Sequence, residues 1–88
     1  MKAIFKYELR TDGKVSMPHK AKILSVQNQR EVMYLWAMVD TNNEPVDTQF
    51  YVFGTGHPLP DDIDELEYIT TIQMTEGIFV WHVFKDAQ

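Results

Sequence analysis

The amino-acid sequence predicts an all-β fold, a small antiparallel sandwich or barrel of about seven strands with one short helical turn at most. Three observations carry this. Short runs rich in valine, isoleucine, tyrosine and tryptophan read as strands, several with period-two alternation. Turn-forming residues interrupt these runs at intervals of roughly ten residues. The length of 88 residues admits a single domain, residues 1–88, and an apolar content of 44% suffices for one core.

The elements follow in order. "AIFKYEL" (3–9) sets Phe5, Tyr7 and Leu9 on one face and Ile4, Lys6 and Glu8 on the other. Asp12-Gly13 is a hairpin signal, and "KVSM" (14–17) is its short return strand, stopped by Pro18. "AKILSVQNQ" (21–29) follows and ends at a tight corner, Asn28-Gln29-Arg30. "EVMYLWAMVD" (31–40) is apolar on both faces, with Met33, Leu35, Ala37 and Val39 on one and Val32, Tyr34, Trp36 and Met38 on the other. Its methionine, leucine and alanine also suit a helix. Valine, tyrosine and tryptophan favour a central strand, which is the assignment taken. The cluster Asp40 to Pro45 reads as a hairpin turn into "DTQFYVFG" (47–54). A long connection holds the helical turn near residues 61–66, its acids at the N-terminal end where the dipole favours them. "EYITTIQM" (67–74) and "GIFVWHVF" (77–84) form the last hairpin.

Composition excludes several classes. There is no cysteine, so neither a disulfide framework nor a thiolate metal site is available. No apolar run approaches the roughly 18 residues of a membrane helix, and the start lacks the apolar stretch of a signal peptide. The expectation is a cytoplasmic protein without a membrane partner. A net charge of −5 argues against binding a nucleic acid polymer. The charges are segregated along the chain. Residues 1–30 hold seven bases against Glu8 and Asp12, whereas residues 31–88 hold Lys85 alone against eleven acids. Either the segments interleave and cancel, or a basic patch attracts a small anion.

"FGTGHPLP" (53–60) is the most unusual stretch. It lacks the third glycine of a dinucleotide fingerprint and the lysine of a P-loop. Two readings stay open. Gly54 and Gly56 turn a rigid corner, or the N–H groups of Thr55, Gly56 and His57 form an anion nest. His19, His57 and His82 are too scattered for a metal site. His82 shares a face with Ile78, Val80 and Phe84, which suits a hydrogen-bonded core histidine as well as a ligand contact. Ser16 and Ser25 lack a nucleophile elbow, and the acids Asp61, Asp62, Asp64 and Glu65 read as a solvated face, with metal-assisted hydrolysis the alternative. No catalytic residue, cofactor or metal is expected. The aromatic surplus leaves Trp36 or Trp81 to line a pocket or an oligomer seam.

The segments "IFKYEL", "AKILSVQ", "LWAMVD", "FGTGHPLPD", "LEYITTIQM" and "FVWHVF" resemble a family of very short bacteriophage-encoded proteins, a domain family of unknown function. The resemblance spans nearly the whole chain. It implies a setting in the cytoplasm of an infected bacterium and raises two classes of counter-defence protein. One is a homo-oligomeric sponge for a signalling nucleotide, and the other is an inhibitor docked on a host defence protein. A phage structural or assembly component is a third possibility. The leading expectation is the sponge: a non-enzymatic binder of a small anionic, nucleotide-derived ligand. In it Thr55, Gly56 and His57 meet phosphate, Lys20 and Lys22 supply charge, Trp36 or Trp81 stacks a base, and His82 completes the candidate set. The rival uses the acids from Asp61 to Glu67 against a basic host surface.

The all-β reading predicts a far-UV circular dichroism spectrum with less than about a quarter helix; a larger helical signal would overturn it, with residues 31–39 the segment to blame.

Overall fold

The computed structural model describes residues 1–87 and places seven strands and one 3₁₀ turn along the chain. The strands are β1 (Lys2–Glu8), β2 (Lys14–Pro18), β3 (Lys22–Gln29), β4 (Val32–Asp40), β5 (Pro45–Gly54), β6 (Leu66–Met74) and β7 (Phe79–Asp86), with the 3₁₀ turn at Ile63–Glu65. They build two antiparallel sheets, β1-β4-β3 and β2-β5-β7-β6. The sheets stack as an open sandwich rather than a closed barrel. The molecule is 18 Å across its thinnest axis, which fits two layers about 10 Å apart. No helix among the described residues is long and apolar enough to cross a membrane.

Period two decides what is inside. β4 is central in its sheet, and Leu35, Ala37 and Val39 on one face are almost wholly buried. They join Leu9, Val26, Val15, Met17, Phe50, Ile72 and Val83 in one core that draws on both sheets. No polar or charged residue is buried among the described residues, so the interior carries no desolvation debt. The opposite face of β4, with Tyr34, Trp36 and Met38, stays half-exposed on the outside.

Two expected hairpins are absent. The Asp12-Gly13 turn does not fold β2 back onto β1. β1 pairs with β4 and β2 pairs with β5, so this turn carries the chain from one sheet to the other. Gly13 sits at φ 72°, its carbonyl accepts the Phe50 N–H at 2.7 Å, and a Cβ here would lie 2.1 Å from the Phe50 carbonyl oxygen. The glycine therefore serves a close approach between corner and sheet. Likewise β5 is not the return strand of β4, because the Asp40–Pro45 turn also changes sheets. Its anchors are Asn43 Nδ2 donating to the His19 carbonyl at 2.9 Å and the His19 N–H donating to the Glu44 carbonyl at 2.8 Å. Local turn chemistry signals a reversal of direction; which strand becomes the neighbour depends on where each apolar face finds cover.

The hairpins β3–β4 and β6–β7 do form. Arg30 and Glu31 both take left-handed φ, 56° and 65°. Such turns favour glycine and asparagine, and here contacts compensate. Asn28 Oδ1 accepts the Glu31 N–H at 2.7 Å, and the Glu31 carboxylate accepts the Thr75 N–H at 2.7 Å. The turn of one sheet thus ties down the turn of the other. That second turn holds Ile78 outside β7, which begins at Phe79, so Ile78 does not share the strand face of His82.

Two glycine substitutions separate close approach from mere turning. Gly13→Ala is expected to lose more stability than the about 1–3 kcal/mol of left-handed strain alone. Gly56→Ala, at φ 85° with nothing within 4 Å of a Cβ, stays within that range. Urea unfolding of the two variants checks the difference.

Candidate functional site

The structure resolves the two readings of "FGTGHP" at the level of the backbone. The His57 N–H donates to the Gly54 carbonyl at 3.1 Å, closing a tight turn, and the Thr55 N–H donates to the Val80 carbonyl at 3.1 Å. Two of the three amides of the expected nest are thereby committed to the fold, and no anion nest forms. Gly54 is required for a different reason. A Cβ there would lie 2.7 Å from the His57 ring and 3.1 Å from Trp81. Its absence lets His57 fold back edge-on to Trp81, with ring centroids 6.3 Å apart, while Phe79 stacks on Trp81 at 6.2 Å. The Trp81 side of β7 faces inward at the end of the sandwich. There Trp81 floors a cleft of about 630 Å³ with Leu9, Met33, Val52 and Met74.

His82 lies on the opposite face of β7 from buried Val83, on the outside of its sheet rather than in the core. Both of its ring nitrogens are engaged, Nε2 with the Thr55 hydroxyl at 2.7 Å and Nδ1 with the Thr71 hydroxyl at 2.9 Å. The Tyr68 hydroxyl lies 2.6 Å from that of Thr71, and the Thr55 hydroxyl donates to the Val80 carbonyl at 3.4 Å. A neutral ring satisfies the whole chain when Nε2 carries the proton: Tyr68 donates to Thr71, Thr71 to Nδ1, and Nε2–H to Thr55. His82 is thus hydrogen-bonded as expected, but it faces outward rather than into the core, because alternation gives the inward position to Val83.

The candidate residues do not converge on one site. Lys20 follows Pro18, which pairs with Pro45 at the start of β5, whereas Thr55 follows Gly54 at its end. At about 3.3 Å per strand residue those ends are about 30 Å apart. Lys20 lines a cleft of about 300 Å³ with Asp47, Lys85 and Asp86. Lys22 lines another between β3 and β6, beside Glu67 and Lys85. Thr55, Gly56, His57, Trp81 and His82 cluster at the far end of the second sheet. Trp36 is on the outer face of the first sheet.

That outer face holds the arrangement that sequence reading missed. β1 places Lys6 opposite Trp36, β3 places Gln27 opposite Tyr34, and the Arg30 turn borders them. The Lys6 ammonium lies 4.0 Å from the Tyr34 ring centroid and 5.7 Å from that of Trp36, and it donates to Gln29 Oε1. Lys6, Gln29, Arg30, Val32 and Tyr34 line an open recess of about 540 Å³. The acids of this face are already occupied: Glu8 pairs with Arg10 at 3.6 Å, and Asp40 with the N-terminal ammonium at 3.3 Å. The Asn42 N–H, then the N-terminal ammonium, hold the Asp40 carboxyl below its usual range. Among the described residues no ion pair forms to Lys6, Lys22 or Arg30. The signal was present in the alternation, since Lys6 falls on one face of 3–9 and Tyr34 and Trp36 on one face of 31–40. What was missing was the pairing of β1 with β4.

The acidic segment also has a definite place. Asp62 and Glu65 border a cleft of about 620 Å³ over Tyr51 and Phe53, with Asp86 opposite. The Tyr51 hydroxyl donates to Asp86 Oδ1 at 3.0 Å, and this bond, more than desolvation and the nearby acids, raises the phenol above its ordinary range. Among the described residues no group of three or more histidines or carboxylates is placed to hold a metal ion.

The corner geometry makes a prediction. In a Trp36→Phe background, His57→Ala is expected to shift Trp81 emission while lowering stability by no more than about 1.5 kcal/mol, the upper value of an edge-to-face aromatic pair. Gly54→Ala, which forces the ring away, gives the same spectral change with a larger loss in thermal unfolding.

No curated protein and no solved structure matches the chain. Its full length, residues 1–88, matches the family described as Domain of unknown function (DUF7352), and the chain belongs to that family.

Proposed function

We propose that the protein is a non-enzymatic binding protein for a small anionic ligand carrying an aromatic base, a nucleotide-derived molecule, taken up on the outer face of the β1-β4-β3 sheet. One observation carries the reading: the Lys6 ammonium set over Tyr34 and beside Trp36, with Arg30 at the rim and the local acids already paired. Aromatic side chains stack a base irrespective of its identity, and exposed ammonium and guanidinium groups attract phosphate. A ligand that displaces Lys6 from the rings exchanges a cation–π contact of about 0.5–1 kcal/mol for base stacking of about 1–3 kcal/mol. Lys6 then becomes available to the phosphate. Charge and stacking groups thus share one face of the first sheet, whereas the FGTGHP corner, on the second sheet, offers a histidine already packed on Trp81.

The setting we propose, sequestration of an immune signalling nucleotide during phage infection, is supported by the likeness of the segments quoted above to phage-encoded proteins. The acidic stretch supports a second reading. Asp61, Asp62, Asp64 and Glu65 are exposed in one short segment, and Glu67, also exposed, pairs with Lys85 at 3.4 Å; a run of exposed acids is what an inhibitor docking on a basic host surface requires.

Calorimetric titration with cyclic dinucleotides and ADP-ribose derivatives tests the first reading. Lys6→Ala and Trp36→Ala are each expected to weaken binding by about 1–3 kcal/mol, with His57→Ala unchanged and no cleavage product formed. Loss of affinity in His57→Ala alone would move the site to the corner. Absence of binding to every nucleotide would remove the sponge reading.

A further inference from the structure

An open sandwich has edges, and each edge presents unpaired N–H and C=O groups to any strand that meets it. The edges here are β1 and β3 in one sheet and β2 and β6 in the other. Three of them carry features that oppose pairing. β3 slips register between Ile23 and Ser25, leaving Leu24 as a bulge, and β6 slips between Tyr68 and Thr70 at Ile69. β2 has five residues and ends in Pro18. β1 has none of these. It runs seven residues in unbroken register against β4, from Lys2 opposite Asp40 to Glu8 opposite Tyr34.

We propose that β1 is a homodimer edge: it pairs antiparallel with β1 of a second copy about a two-fold axis at Phe5, joining two three-stranded sheets into one of six strands. The backbone sets which groups are available. The Leu9 N–H donates to the Met33 carbonyl, and the Met1 carbonyl accepts the Thr41 N–H. Odd-numbered residues therefore direct their backbone groups to β4, and Lys2, Ile4, Lys6 and Glu8 direct theirs to the open edge.

The side chains then select the register. Pairing centred on Phe5 sets Lys2 opposite Glu8 of the second copy, Glu8 opposite Lys2, and Ile4 opposite Lys6. Every outward-facing residue finds a hydrogen-bonding partner, and opposite charges meet at both ends, where Lys2 of the second copy joins the exposed contact of Glu8 with Arg10. A shift of two residues one way sets Lys2 against Lys6 of the second copy; the other way sets Lys6 against its own equivalent. Both shifts juxtapose like charges and leave an outward residue without a partner. Opposite charges at equal distances from Phe5 are what a self-complementary edge requires.

The apolar residues agree. Phe5, on the core side of β1, is 41% exposed because the second sheet does not cover it, and Ile4 on the outer side is 61% exposed. In the centred register the two Phe5 side chains meet at a non-hydrogen-bonded pair, where opposed Cα atoms approach to about 4.5 Å. Even residues pair with even, so both outer faces lie on the same side. The Lys6, Tyr34 and Trp36 groups of both copies then share one continuous surface. The inference rests on edge geometry and charge and stands without the proposed ligand.

The chain has no native cysteine, so single substitutions report the register. Phe5→Cys is expected to oxidise to a covalent dimer, because an opposed pair about 4.5 Å apart lies within the disulfide range. Ile4→Cys lies opposite Lys6 of the second copy and is expected to cross-link far more slowly. In sedimentation equilibrium from micromolar to near-millimolar protein, the unmodified chain is expected to dimerise. Lys2→Glu and Glu8→Lys each raise the dissociation constant several-fold, and the combined variant restores it. A monomer throughout that range, equal cross-linking at the two positions, or no restoration by the charge exchange would overturn the proposal.

Discussion

Burial of one face of β4 is the constraint on which the rest of the structure depends. Leu35, Ala37 and Val39 reach near-zero exposure only because Phe50 and Val83 of the other sheet close over the same core. Removing side chains of this size from water is worth about 1.5–3 kcal/mol each for the larger ones, and no local preference in so short a chain competes with that. Once this face is inside, strand alternation sends Tyr34, Trp36 and Met38 outward. The basic and aromatic outer surface is therefore a consequence of core packing.

The same burial explains the connections. A short chain with seven strands closes a core only if its strands are shared between two layers, so β1 to β2, β2 to β3 and β4 to β5 all change sheets. The corners that do this need unusual backbone. Gly13 brings its carbonyl to the Phe50 N–H, and Gly54 admits the His57 ring against Trp81. Where glycine is absent, side chains stabilise the left-handed turn, as Asn28 does for Glu31. The Glu31 carboxylate then reaches the Thr75 N–H, and this joins the two hairpin ends across the sandwich.

Charge segregation along the chain becomes a spatial arrangement only in part. Lys6 and Lys22 stay on the β1-β4-β3 sheet, while Lys14 and Lys20 go with β2 and its turn to the other side of the fold. The acids from Asp61 to Glu65 precede β6, and Asp62 and Glu65 lie near Tyr51 and Asp86. The molecule thus has a basic aromatic face on one sheet and an acidic corner on the other, a polarity that suits either proposed partner class.

The sequence by itself determined the all-β class and the strands, and it grouped residues by alternation without deciding which face of 31–40 or of 77–84 is buried. Those follow from period-two alternation and punctuation by glycine, proline and asparagine, which act over a few residues. It identified the last hairpin and the helical turn, and it placed Lys6 with Glu8 and Tyr34 with Trp36 on shared faces. Only the tertiary structure decided that the Asp12-Gly13 and Asp40–Pro45 turns change sheets, that Lys20 and His57 lie at opposite ends of β5, and that Lys6 sits over Tyr34. The physical reason is the same in each case. A turn motif specifies a change of direction, but the neighbour across the ladder is chosen by which apolar faces can be covered together. That choice involves residues far apart in sequence, such as Lys6 and Trp36.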